Sequence, residues 1–246
     1  MKPAYKICVC LGADWRNQWV VHAAEADLIE LRIDLMFPKG ITTSEVAETL
    51  SPLLHEYNHK TVLTCRPGTI SQEERCDLFL ALLTHNQSVL RLRVGKQSCL
   101  APAYIDLEYN TPQTFRTPLY AAAQQNNTQI IASFHDFDDT PDTPQFHLIA
   151  HKAFQQGADL VKIVTRCHNA QDEARLMSLY SEPHFANRII AFSLGQYALS
   201  SRLHAAAAGA PILYLAPDNG ALTAPGQPRF SQFQHKISVN QTGFLS

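Results

Sequence analysis

Two residues of this 246-residue chain have types and neighbours that could do chemistry, Lys162 and His135. Lys162 lies in Leu160-Val161-Lys162-Ile163-Val164, a long cation among β-branched and apolar residues, unlike a solvent-washed strand. Burial disfavours the charged form of an amine, and an amine attacks a carbonyl only as the free base, so this setting suits imine formation. A structural ion pair with Asp106 or Glu30 is the other reading, and burial alone does not choose between them. His135, in Ser133-Phe134-His135-Asp136-Phe137, takes or gives a proton near neutral pH. A histidine at a strand end is more often structural, but beside an inward lysine it suggests imine chemistry assisted by proton transfer.

The elements that must position these groups recur along the chain as eight short apolar runs: Ile7 to Leu11, Leu28 to Ile33, Thr61 to Cys65, Tyr104 to Leu107, Ile130 to Phe134, Leu160 to Val164, Ile189 to Ser193 and Ile212 to Leu215. Segments between them, such as Thr43 to Tyr57, Pro144 to Gln156 and Asn169 to Tyr180, carry apolar residues three or four apart and read as helices. Strands alternating with helices imply parallel pairing, and eight such units in about 250 residues predict a (β/α)8 (TIM) barrel, one domain over 1–246. A doubly wound open sheet usually has a Gly-rich turn after its first strand, whereas Leu11-Gly12-Ala13-Asp14 has one glycine. Val89 to Val94 alternates like a strand inside the third connection and reads as an inserted hairpin.

In a barrel, alternate residues face the lumen, which puts Glu30 and Arg32 on one inward face and Asp106 and Glu108 on another. Arg66 follows the third run, His135 the fifth, Lys162 lies in the sixth and Ser193 ends the seventh. Ends of different strands meet at one mouth, where active sites of this architecture are built.

Composition narrows the partner. With 20 Lys+Arg against 22 Asp+Glu, a net charge of -2 and no basic cluster, the chain lacks the footprint for nucleic acid or an anionic membrane, so a small molecule is expected. Only 17% of residues are charged and 46% are hydrophobic, which excludes disorder. No secretory signal and no apolar stretch of about 20 residues is visible, so a cytoplasmic protein is expected. Six scattered cysteines without a C-x-x-C pair read as reduced thiols. His55-Glu56-Tyr57-Asn58-His59 fits the zinc signature H-E-x-x-H, but the next strand begins at about Thr61 and the helix must end at once, so a surface cap far from the mouth is the expectation, with no metal.

Over nearly its whole length the chain resembles type I 3-dehydroquinate dehydratases, lysine-imine enzymes of the shikimate pathway. Seven segments agree in order: Glu30-Leu31-Arg32-Ile33-Asp34, Arg66, Ile105-Asp106-Leu107-Glu108, Ser133 to Phe137, Asp159 to Ile163, Ser201-Arg202 and Ala224-Pro225-Gly226-Gln227. The resemblance implies a homodimeric barrel that dehydrates 3-dehydroquinate to 3-dehydroshikimate with no cofactor. Carried over residue by residue, it makes Lys162 the imine-forming amine, His135 the general acid and base, and Arg202 the clamp on the substrate carboxylate. Glu30, Arg32 and Arg66 would grip hydroxyls, Thr223 and Gln227 belong to a closing lid, Cys10 stands where serine is common, and Asp106 orients the Lys162 and His135 pair from behind.

The chain departs from the family pattern at several positions. The acid that usually follows the third-strand arginine by four residues, and orients the histidine, is Ile70 here, with Ser71 next; Glu73 and Glu74 are the nearest acids but read as first-turn helix residues. Phe192 and Leu194 stand for methionines and Tyr214 for a phenylalanine. The connection from Arg75 to Ala103 is long, and the tail over about 228–246 matches poorly. Alternatives on the same residues are an aldolase-type lysine-imine barrel, a zinc hydrolase at His55 and His59, and a barrel that binds a carboxylate without chemistry.

Overall fold

Each of the eight apolar runs forms a strand: β1 (Lys6–Leu11), β2 (Leu28–Arg32), β3 (Thr61–Thr64), β4 (Tyr104–Glu108), β5 (Gln129–Asp136), β6 (Leu160–Arg166), β7 (Ile189–Leu194) and β8 (Ile212–Leu215). A computed structural model describes residues 5–38, 40–68, 70–93 and 101–242. All ladders in it are parallel, in the order β7-β6-β5-β4-β3-β2-β1-β8. β8 pairs back onto β1, from Lys6↔Ile212 to Val9↔Leu215, so the sheet curls into a nearly closed (β/α)8 barrel. Among the described residues β7 and β8 share no ladder.

Helices alternate with the strands: α1 (Trp15–Glu25), the single turn α2 (Ile33–Met36), α3 (Thr43–Tyr57), α4 (Gln72–Arg93), α5 (Gln113–Gln125), α6 (Thr143–Gln155), α7 (Ala170–Met177), α8 (Ala198–Ala208) and, after β8, α9 (Phe230–Thr242). Their starts are chemically marked. Thr42 and Glu45 form a reciprocal capping box at α3, and the Asp142 carboxylate accepts from the Gln145 amide at α6. Their inner stripes, Val46, Ala47, Leu50 and Leu54 on α3 and Phe146, Ile149, Ala150 and Ala153 on α6, are buried at helical spacing.

Three expectations resolve here. The segment read as an inserted hairpin is helical from Val89 to Arg93, the end of α4, because the helix capped at Ser71 and Glu74 continues through it; Val94 lies outside the described residues. His55 is in the last turn of α3 and His59 in the following 3-10 turn (Asn58–Lys60), so one continuous helix does not align the two imidazoles. Cys8, Cys10, Cys65, Cys76 and Cys167 are buried free thiols, and Cys99 lies outside the described residues.

The interior is layered. Between strands and helices lies the apolar shell, and inside the barrel Cys8, Leu28, Val62, Ile131, Ile190 and Ile212 plug the floor. Polar inward residues stand on that floor toward the C-terminal ends of the strands. After residue 228 the chain forms α9, whose Phe230 and Phe233 pack into the shell. No helix among the described residues is long and apolar enough to cross a membrane. Phe233 is fully buried in the shell between helices and strands, outside the barrel interior, so Phe233→Ala should cost about 3–5 kcal/mol in chemical unfolding while leaving activity per folded molecule unchanged.

Candidate active site

The Asp106 carboxylate, near the end of β4 and 1% exposed, is the centre of the polar layer. Its Oδ1 accepts from Arg66 Nη1 at 2.9 Å and from Ser133 Oγ at 2.5 Å. Its Oδ2 accepts from Arg66 Nη2 at 2.9 Å and from Lys162 Nζ at 2.5 Å. Strand register explains the convergence: Thr64 pairs with Asp106 and Ser133 with Lys162, so these side chains share the inward face of neighbouring strands. Burial alone would raise the Asp106 carboxyl, but Arg66 and Lys162 outweigh it and hold the group well below the usual carboxylate range.

Lys162 also lies 3.7 Å from Glu30 Oε1, and Nζ sits over the Tyr214 ring, 4.2 Å from its centre. Glu30 in turn accepts from Thr64 Oγ1 at 2.8 Å. Burial pushes Glu30 up, and Lys162 and Arg32 bring it below its ordinary value. The ion pair offered by the sequence is present with both acids, and the amine they hold also lines a cavity of about 150 Å³ together with His135, Arg202 and Gln227.

His135 faces Glu108 rather than Asp106, with Nδ1 at 3.5 Å from Glu108 Oε2, while Arg66 Nη1 bonds the Glu108 carboxylate at 2.8 Å. The expectation that Asp106 itself orients both Lys162 and His135 is therefore divided between two acids of one strand. Glu74 does not serve the histidine: it exchanges hydrogen bonds with Ser71 at the start of α4, as a first-turn acid. Ile70 packs against the apolar shell. Burial, then Arg66, lower the His135 imidazole to about 4 against the pull of Glu108, which leaves a neutral base at pH 7.

Arg202 rises from α8 and is 1% exposed. Its Nε donates to Tyr214 O at 2.9 Å, and its Nη1 to Ser193 O at 3.1 Å and Ala198 O at 2.7 Å. The guanidinium thus bridges β7 and β8, where the ladder is interrupted. It makes no ion pair among the described residues, and burial lowers it to about 9. A buried cation without a counter-ion, facing a cavity, is a site for an anion.

The loop after β8 covers the mouth. Arg32 is clamped bidentately by Asp34, at 3.0 and 2.7 Å, and its Nη1 donates to Thr223 O at 3.0 Å. Thr223 donates from N and Oγ1 to Gln227 Oε1, at 3.2 and 2.9 Å. Gly195 N bonds Pro225 O at 3.1 Å, and at Gly226, φ +69°, a Cβ would run into the Gly195 carbonyl. Cys10 and Tyr214 complete the cavity wall, the Tyr214 hydroxyl buried without a hydrogen-bond partner. The site residues carried over from the resemblance meet here, whereas His55, His59, Ile70 and Glu74 lie elsewhere. Ser133, Thr64 and the Glu108 contact to His135 were missed as site features, although each shares the inward parity of Asp106 or Lys162 on its strand.

The type I 3-dehydroquinase family matches residues 7–242. The 3-dehydroquinate dehydratase of Pyrococcus abyssi is 29% identical over 213 residues, 84% of this chain and 84% of that protein. That of Desulfotalea psychrophila is 28% identical over 243 residues, 93% and 95% of the two chains. The solved 3-dehydroquinate dehydratase of Geobacillus kaustophilus superposes with a TM-score of 0.79 at 19% identity, covering 98% of this chain and 92% of its own, which places the folds together.

The depressed His135 predicts an acid-labile barrel. The unfolded imidazole, ordinarily near 6.5, binds a proton that the folded one refuses until about pH 4, so the unfolded state takes up more protons across that window and stability falls as pH drops through it. Urea unfolding from pH 7 to 4 should show a steeper loss for the unaltered chain than for His135→Gln.

Proposed function

From the premise that the chain belongs to the type I 3-dehydroquinase family and dehydrates 3-dehydroquinate, we propose that Lys162 carries the reaction as an imine-forming amine and His135 as its acid and base. The observation that carries this assignment is that one cavity is lined by Lys162, a neutral imidazole and the unpaired Arg202.

Lys162 Nζ adds to the substrate ketone; the carbonyl oxygen leaves as water, and an iminium remains. Its positive nitrogen acidifies the adjacent C–H, so His135 removes that proton and the C–H electrons become the double bond of an enamine. The nitrogen lone pair then re-forms the C=N bond, the enamine C=C pair shifts to make the double bond to the next carbon, and the hydroxyl on that carbon leaves with its bonding pair, protonated by the imidazolium. Water then hydrolyses the iminium, releasing 3-dehydroshikimate and restoring the amine. The net change is loss of one water.

Arg202 would bind the substrate carboxylate, gaining the counter-ion it lacks. Asp106 and Glu30 hold the amine in place, and Arg66, which shares their network, would reach substrate hydroxyls together with Glu30 and Arg32. Thr223 and Gln227 would close over the ring while Cys10 meets it from the cavity wall, excluding water from the reactive carbon. We further infer a cytoplasmic homodimer, in keeping with the family resemblance; sedimentation at working concentration would read a dimer mass. Borohydride with 3-dehydroquinate should leave a reduced adduct on Lys162 in peptide mass mapping, and Lys162→Met should abolish both adduct and the ultraviolet absorbance of the conjugated enone product. Turnover by the unaltered chain without an adduct would refute the imine.

A further inference from the structure

His135 Nδ1 is buried and has no partner at good hydrogen-bond geometry, with Glu108 Oε2 at 3.5 Å facing it. An orphaned ring nitrogen in the interior is costly, and catalytic hydrogen bonds often tighten only when substrate is bound. We propose that Glu108 is the positioning residue of His135: it takes the Nδ1 proton in a hydrogen bond, so that the Nε2 lone pair is the one presented to substrate. The proposal rests on the function assigned above and adds to it a residue and a direction for the imidazole.

The surroundings fit this role. Arg66 and Lys162 disfavour the imidazolium, and Glu108 favours it, with Asp106 lying behind Arg66. When Nε2 takes the substrate proton, a positive ring forms beside Arg66, and the Glu108 carboxylate is the anion placed against it. The carboxylate cannot swing away, because Arg66 Nη1 holds it at 2.8 Å. Arg66 therefore couples two acids of β4. Lys162, Asp106, Arg66 and Glu108 form one chain of alternating charge that ends on the neutral His135 ring, with contacts of 2.5, 2.9, 2.8 and 3.5 Å. Nucleophile and base stand at its two ends.

Glu108→Gln keeps the shape and an oxygen for Nδ1–H but removes the charge, so it separates positioning from electrostatics; Glu108→Asp keeps the charge on a shorter arm. For Glu108→Gln, kcat should fall about 10–100-fold with KM changed less than about threefold, and the acidic limb of kcat/KM should move to lower pH, since the group that favours the imidazolium is gone. Borohydride trapping on Lys162 should persist, because imine formation does not use Glu108, and the melting temperature should stay close to that of the unaltered chain. Glu108→Asp should recover part of kcat and return the limb toward its original pH. An unmoved acidic limb, or a loss of rate that follows KM and melting temperature, would overturn the proposal and leave Glu108 a structural partner of Arg66. Failure of the unaltered chain to trap substrate would instead remove the imine reading and the proposal with it, a distinct result.

Discussion

Four donors converge on one buried carboxylate, and the geometry of the mouth follows from that convergence. Asp106 is buried from solvent, so its charge is tolerable only while Arg66, Ser133 and Lys162 all point inward. These donors come from three elements: the end of β3, β5 and β6. Their demand for one acceptor pins strand register more tightly than apolar packing could, since a slip by one residue would turn every one of them outward. The lysine is held by the same bonds that tie neighbouring strands of the barrel to one acceptor.

Charge is matched almost group for group around that centre. Arg32 is taken by Asp34, Lys162 by Asp106 and Glu30, and Arg66 by Asp106 and Glu108. Arg202 alone of these cations is satisfied by carbonyls, which carry no net charge. Those carbonyls take the Nε and Nη1 donors and leave the charge itself without a counter-ion among the described residues. A chain with few charges thus gathers several of them at one mouth and leaves one of these, Arg202, without an opposite charge beside it.

Much of this was legible before any coordinates. The ILYL run is the whole of β8, and the Thr43 to Tyr57 helix ends where its spacing says, because capping and apolar period are local properties. Val89 to Val94 misled because a six-residue alternation also fits a helix whose decisive signal, the cap at Ser71, lies eighteen residues upstream. The partner of His135 was hidden for another reason. Parity shows that Glu108 faces inward, but which of two acids on β4 reaches β5 depends on stagger between strands and on Arg66 holding both. Seam closure by Arg202 was equally out of reach, since it requires knowing that a ladder is missing.

That missing ladder has a consequence for how the molecule comes into being. β8 finds its place by pairing with β1, with Lys6 against Ile212, so the circle cannot be completed until the chain has left the ribosome through Leu215, about two hundred residues after β1. Until then the guanidinium of Arg202 has no Tyr214 carbonyl to hold it, and the lid that follows β8 does not exist. The enclosure of the mouth is consequently acquired in one step: a nascent fragment that stops before β8 owns Lys162 and His135 but neither the seam held by Arg202 nor the loop that covers them.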